Sequence, residues 1–253
     1  MLSLASARMC MEYMTKLTCL LSTYHDLPLL WSRLDNLLTQ KVDYELIAIC
    51  EKGSDEYKMI QKWSTNGFSA SKKVVKFIQT EGIPTLYDAW NQGIAIAEGE
   101  YITNVNTDDR LYPGALQKMI DVLDNNPDYG LVYPDVDRVD EIDGEPFGQF
   151  NWAEGDLDVL LNGCFLGPMP MWRKSLHDKY GLFDGGYHSS GDYEYWLRLA
   201  KDGVKFYHLK EVMGAYFDRK ESIEHRQPNR TVWESSRARS RHRTREVING
   251  KGV

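Results

Sequence analysis

Between Leu17 and Asp109, short apolar runs alternate with segments of helical periodicity, and this alternation limits the folds open to the chain more than any other feature. A strand, a helix and a second strand in succession make a βαβ unit, with parallel strands and a helix laid over the sheet. The apolar runs place strands at Leu17–Ser22, Tyr44–Cys50, Val74–Gln79 and Tyr101–Val105; the periodic segments place helices at Leu27–Gln40, Ser54–Asn66 and Thr85–Ala97. Pro28 suits the start of the first helix, and Gly99 follows the end of the third. Each strand then runs into a polar loop: Thr23-Tyr24-His25-Asp26, Glu51-Lys52-Gly53-Ser54-Asp55, Thr80-Glu81-Gly82 and Asn106-Thr107-Asp108-Asp109. In a parallel sheet these loops gather on one edge, where open α/β sheets bind ligands. Amide and acidic side chains at the end of the fourth strand suit a metal-bound phosphate, although Asp108 and Asp109 alone would also serve as a polar turn before the next helix.

Beyond Asp109 the pattern changes to α+β: a helix near Pro113–Asn125, a strand at Leu131–Tyr133, a loop-rich stretch from Asp135 to Gly167, a helix at Asp192–Lys201, and strands at Lys205–Leu209 and Val212–Phe217. With 253 residues, 42% of them hydrophobic, one main domain is expected over 14–225, comprising a ligand-binding half (14–110) and a second half (111–225) that closes over the sheet edge. The formal net charge of −7 is uneven: Arg226 to Arg245 carries seven arginines against one glutamate, +6, which leaves −13 elsewhere. An acidic body argues against a nucleic-acid groove on the globular part, and the basic helical tail, 226–253, reads as a solvated helix, an oligomer contact, or a contact to anionic lipid, a nucleic acid or an acidic neighbour. Its arginines surround the helix rather than forming one face, unlike an amphipathic anchor. Cys10, Cys19, Cys50 and Cys164 lack Cys-x-x-Cys spacing and read as reduced core residues. No apolar run reaches the length of a membrane span and Met1–Met14 lacks a signal-like block, so a cytoplasmic chain, at most peripheral to a membrane, is expected.

Five ordered motifs over roughly Leu17 to Ser222 carry a resemblance: Leu21-Ser22-Thr23-Tyr24-His25, Glu51-Lys52-Gly53-Ser54, Ala89-Trp90-Asn91-Gln92-Gly93-Ile94 before Glu98-Gly99-Glu100-Tyr101-Ile102, Asn106-Thr107-Asp108-Asp109, and Gly191-Asp192-Tyr193-Glu194. In this order they resemble the family 2 glycosyltransferases of GT-A fold (nucleotide-diphospho-sugar transferases). The resemblance implies a central, mostly parallel sheet flanked by helices, an α+β acceptor half, and non-processive, inverting transfer of one sugar from a nucleotide donor, UDP-linked by preference, to a hydroxyl of a glycan, lipid-linked or small-molecule acceptor. It implies Mn²⁺ or Mg²⁺ on Asp108, with donor contacts from Thr23, Tyr24, Glu51, Asn91, Asn106 and Asp109. Asp192 becomes the catalytic base, and Trp172 and Glu194 line the acceptor side.

Three positions depart from the family pattern: Asn106 stands for the first aspartate of the metal motif, Lys52 for the second aspartate of Asp-Asp-Gly-Ser, and Tyr216-Phe217-Asp218-Arg219 where some members place a histidine ligand, His225 lying six residues further on. Each assignment has a structural counterpart: Asp192 as a helix-terminal carboxylate, Tyr24 as a packing residue, Asn91 as a helix-surface amide, Trp172 as part of a core strand. The loop His188-Ser189-Ser190-Gly191 is small and polar enough to move. Two rival functions remain open: a non-catalytic nucleotide-sugar-binding subunit, and a nucleotidyltransferase on a similar sheet, although the latter's Gly-rich basic loop is missing after the first strand.

Overall fold

A computed structural model describes residues 15–67, 74–82, 85–219 and 222–243, so that Met1–Met14, Cys10 and the tail from residue 244, Arg245 included, lie outside the described residues. The first four strands are β1 (Leu17–Thr23), β2 (Glu45–Glu51), β3 (Val74–Thr80) and β4 (Tyr101–Asn104). They lie parallel in the order β3-β2-β1-β4. Layers on both faces bury β1, β2 and β4 almost completely, which is why their sequences are continuous apolar runs. Helices α1 (Leu27–Leu38), α2 (Asp55–Gly67) and α3 (Leu86–Ile96) make the crossovers. Thr85 caps α3 by accepting from the Asp88 amide. From β1 the chain steps outward to β2 and β3, then returns to place β4 on the other side of β1; this reversal opens a crevice at the ends of β1 and β4. At Gly99 the chain entering β4 passes so close to β1 that a Cβ would stand 2.5 Å from the Thr18 backbone nitrogen.

The remaining strands, β5 (Arg110–Leu111), β6 (Tyr129–Val139), β7 (Gly148–Phe150), β8 (Met171–Arg173) and β9 (Lys205–Phe217), extend the same sheet as β4-β8-β6-β9-β5, with β7 beside β6. β8 is antiparallel to both β4 and β6, so the sheet is parallel in its first half and mixed in its second. The other helices are α4 (Ala115–Asn125), α5 (Leu157–Leu160), α6 (Ser175–Tyr180), α7 (Gly191–Lys201), α8 (Ile223–Arg226) and α9 (Pro228–His242). One core packs α1, α2 and α4 on a sheet face, and a second, rich in aromatics, packs α3, α6, α7 and α9 on the other.

Four expectations change here. The strand expected to end at Tyr133 continues to Val139, because the aspartates that read as loop are buried with partners from distant segments. Asp135 accepts from the Trp152 amide at 2.9 Å and pairs with His208 Nε2 at 2.8 Å, while Asp137 accepts from Tyr112 Oη at 2.5 Å and Gln149 Nε2 at 2.9 Å. The two expected strands around Lys210 and Glu211 are one strand, β9, whose register against β6 slips between Leu209 and Val212. The arginine-rich helix is docked rather than solvated, with Glu234, Ala238 and His242 buried against the body. Cys19 and Cys50 are buried as expected, whereas Cys164 lies at the surface.

Trp172 of β8 has no exposed surface and packs edge-on against Trp196 and Phe183. Its Nε1–H donates to His177 Nε2 at 2.8 Å, and His177 Nδ1 lies 3.1 Å from the Gly181 carbonyl, to which it donates as the neutral Nδ1–H tautomer. Burial pushes His177 from 6.5 down to about 4, the Gly181 carbonyl opposing the shift. Between those values the folded chain holds fewer protons than the unfolded one. The stability supplied by the neutral ring is therefore complete above pH 6.5 and is lost as the pH falls towards 4. The expected loss is roughly 3 kcal/mol. A melting series between pH 7 and 4.5 should show it, with a shallower slope in His177→Gln; equal slopes would remove His177 as the cause.

Candidate active site

Two cavities open along the edge where β1, β2 and β4 end. The larger, about 410 Å³, is lined by Thr23 at the end of β1 with Tyr24 and His25 after it, by Glu51 at the end of β2 with Ser54 after it, and by Asp55 and Glu56 at the start of α2. Tyr24 is 71% exposed, its ring 4.2 Å from that of His25, leaving an aromatic face available for stacking. His25 holds a left-handed backbone (φ 57°), uncommon for a residue with a side chain and frequent at binding loops. The lining carboxylates can accept from hydroxyl and ring N–H groups and would repel phosphate. Lys52 stands at the surface, paired with Glu81 at 2.7 Å.

The smaller cavity, about 170 Å³, brings Asn106 from the β4 loop together with Asp192 from the first turn of α7, beside Tyr87, Trp90, His188 and Ser189. Asp192 is set by Tyr87 Oη, which donates to its Oδ1 at 2.9 Å, and by the Tyr193 amide, which donates to the same oxygen at 2.8 Å. Sequence reasoning passed over Tyr87, which precedes the Asn91 motif by one helical turn. The Tyr87 hydroxyl is held well above the usual tyrosine range by burial and then by the neighbouring Asp192 carboxylate, so it acts as a donor. Gly191 packs on the Tyr87 ring, where a Cβ would come within 2.5 Å.

Asp108 lies at the same sheet edge, where its Oδ2 accepts from Arg219 Nε at 3.1 Å. The Arg219 guanidinium also stands 3.0 Å from that oxygen through Nη2 and 3.5 Å from Asp26 Oδ1. Two aspartates thus converge on one cationic group. Burial raises Asp26 above its ordinary value, Arg219 pulling it down and Asp108 pushing it up. Neither Asp26 nor Arg219 carries a motif signal of its own, yet Asp26 closes the loop after β1 and Arg219 falls where some family members place a histidine ligand. His225 Nδ1 lies 2.8 Å from the Arg219 carbonyl. Among the described residues no three His, Cys, Asp or Glu side chains form a metal-holding group. Two hard carboxylates drawn to one cation nevertheless fit Mg²⁺ or Mn²⁺ when phosphate and water complete the shell.

Four assigned residues are corrected. Asp109 is 3% exposed and faces inward: Asn106 Nδ2 donates to its Oδ2 at 3.1 Å, and burial together with Asp108 pushes it up to about 8 against the pull of Arg33 and Arg110. It seats the loop and lines neither of the two cavities. Asn91 exchanges both amide bonds with the Phe183 backbone, at 2.9 and 3.0 Å, so it ties α3 to the loop before α7 instead of reaching a nucleotide. Trp172, wholly buried, has no face for an acceptor. Glu194 is also fully buried, bonded to Arg198 and, at 2.8 Å, to His242 Nε2. The loop expected to move is held instead, its amides bonded to Glu234 of α9.

A mixed sheet with a parallel first half, a crevice at the ends of β1 and β4 with a cavity on one side, and a carboxylate-bearing helix start on the other match a GT-A type architecture. The chain belongs to glycosyl transferase family 2, whose model matches residues 18–180. It is 25% identical to the uncharacterized glycosyltransferase YwdF of Bacillus subtilis over 78% of this chain and 71% of that one. It is 26% identical to the uncharacterized protein y4gI of Sinorhizobium fredii over 58% of this chain, but spans only 16% of that relative's length. Among solved structures, S. aureus TarS 1-349 in complex with UDP-GlcNAc superposes with a TM-score of 0.71 at 18% identity, covering 94% of this chain and 68% of that one. The mannosyltransferase PcManGT from Pyrobaculum calidifontis, in complex with GDP-Man and Mn²⁺, gives 0.69 at 15% identity, covering 94% and 66%. No helix among the described residues is long and apolar enough to cross a membrane.

Proposed function

We propose that the protein transfers a single sugar from a nucleoside-diphosphate sugar, UDP-linked by preference, to a hydroxyl of a glycan, lipid-linked or small-molecule acceptor, with inversion. The observation that carries this reading is the shared cavity of Asn106 and Asp192, which joins the donor edge of the sheet to a carboxylate on the opposite side. Tyr24 offers a stacking face to the base, and Glu51 an acceptor for ribose or base donors, in the larger cavity. The diphosphate then lies towards Arg219 and Asp108, away from the acidic lining. Asp192, oriented by Tyr87, takes the acceptor's proton as its oxygen attacks the anomeric carbon and the bond to the diphosphate breaks. Asp108, with Asp26 beside it, would hold Mn²⁺ or Mg²⁺, whose contribution is to neutralise the charge developing on the departing diphosphate. Asp192 is the one carboxylate among the described residues lining this cavity, which supports direct displacement. Family membership favours sugar transfer over nucleotidyl transfer. The competing reading is a nucleotide-sugar binder without turnover, favoured by Asn106 and Lys52, where the family pattern has aspartates.

Melting the full chain against UDP, GDP, dTDP and CMP, each with and without Mn²⁺, tests the donor class. Saturation at about a hundred times the dissociation constant stabilises by about 2.7 kcal/mol, a rise of roughly 5–10 °C for a chain this size. The expected result is a metal-dependent rise with UDP that Asp108→Ala abolishes. A rise with GDP alone would reassign the donor, and no rise with any nucleotide would end the reading.

A further inference from the structure

The backbone amides of His188, Ser189 and Ser190 converge on one carboxylate, Glu234 of α9, at 2.8–3.1 Å, and Ser189 Oγ adds a fourth bond at 3.1 Å. Glu234 is 1% exposed and is the one acidic residue between Arg226 and Arg245. Successive amides closing on an anion form a nest, and these amides lead into α7, whose first turn leaves N–H groups that something must satisfy. Ser190, at the cap position, does not cap α7 with its own side chain; its hydroxyl lies 3.0 Å from Ser235 Oγ on α9. Thr231, also on α9, donates to Ser189 Oγ at 3.1 Å. On the other side of Asp192 the same helix holds Glu194 through His242 at 2.8 Å, with Arg241 at 3.6 Å. Asp192 thus lies between two segments fastened to α9, and His188 and Ser189 share its cavity.

We infer that the arginine-rich helix α9 buttresses the wall of the Asp192 cavity from behind, and that Glu234 is a positioning residue that fixes the 188–190 backbone and thereby aims Asp192. Glu234 touches no reacting atom. The inference rests on the reading of Asp192 as the base. The donor cavity contains no residue of the 188–192 segment, so donor binding is expected to be independent of Glu234.

The test uses the full chain with UDP-GlcNAc, UDP-glucose and GDP-mannose and with water as acceptor, so that Asp192 deprotonates water and free sugar and nucleoside diphosphate are released. Glu234→Gln keeps the size but leaves one carbonyl oxygen for three amides. It should lower kcat by about 10–100-fold, the scale of a misaimed catalytic group, with KM for the donor within about twofold. Asp192→Asn combined with Glu234→Gln should be no slower than Asp192→Asn alone, because Glu234 acts through Asp192. Amide hydrogen exchange at 188–190 should speed up about tenfold or more in Glu234→Gln and stay unchanged in Asp192→Asn. Thr231→Val, a milder change at a partly exposed site, should lower kcat about threefold at the wild-type melting temperature, and it serves if Glu234→Gln does not fold. An unchanged kcat in the folded variant, additive effects in the double variant or unchanged exchange would overturn the role of Glu234 while leaving the transfer reading intact. Full activity in Asp192→Asn, or no hydrolysis of any donor by the wild type, would overturn the transfer reading and this inference together.

Discussion

Asp192→Asn is expected to lower sugar-transfer turnover by about 10²–10⁴-fold, the range supplied by a positioned general base, while UDP affinity stays within about twofold. The substitution keeps the shape of the side chain, and the Tyr87 hydroxyl can still donate to the amide oxygen, so the helix start should remain in place. What disappears is the oxygen that takes the acceptor proton. The alternative role of Asp192 is that of an acidic residue at a helix N-terminus, in which case the variant would lose about 1 kcal/mol of stability and retain its turnover. Turnover measured beside the melting temperature separates the two, since the catalytic reading requires a large first effect and a small second one. Undiminished turnover would return Asp192 to a capping role.

Trp172→Ala should cost about 3–5 kcal/mol of stability, as for other large aromatic residues removed from a core. For a chain of this size that is a fall in melting temperature of roughly 6–20 °C. The cavity would open between β8, Trp196 and Phe183, and His177 Nε2 would lose the indole donor it accepts from at 2.8 Å. Had Trp172 been a platform for an acceptor sugar, the same variant would raise KM for the acceptor and leave melting almost unchanged. Denaturant titration distinguishes the outcomes before any acceptor is known, and a loss below about 1 kcal/mol would contradict the core assignment.

These two residues also mark how far the sequence could be read. The parallel half was legible to within a residue or two at most boundaries, because strands buried on both faces are uninterrupted apolar runs and their helices carry recognisable starts and stops. Placement of the polar loops followed from parallel order, which is how Thr23, Tyr24, Glu51 and Asn106 came to lie along the two cavities, whereas Asp192, in the second half, was legible only through the order of the motifs. β6 was cut short because Asp135 and Asp137 look like loop residues until His208, Tyr112 and Gln149 are seen beside them. β8 occupies three residues, too few for alternation to declare a strand, so Trp172 read equally as cleft or core. Glu194 and Asn91 failed for a common reason: a motif names a polar residue, but whether it faces a ligand or a neighbouring helix depends on pairing across 48 positions for Glu194 with His242 and 92 for Asn91 with Phe183. Arg219 and Glu234 were hidden in the same way, each acting on a segment far from it along the chain.

The reversal of strand order between β1 and β4 also divides the labour of recognition. Residues lining the larger cavity all fall between Thr23 and Glu56, whereas those lining the smaller one fall between Leu86 and Trp196, with no residue in common. On the proposed assignment of the two cavities, selection for a new nucleoside can act on one short stretch of the gene while the other wall is inherited unchanged, and the reverse is equally open. A swap of the segment between β1 and α2 among relatives, with β1 and β2 keeping their register, becomes a practical test of exchanging the nucleoside preference without rebuilding the surroundings of Asp192.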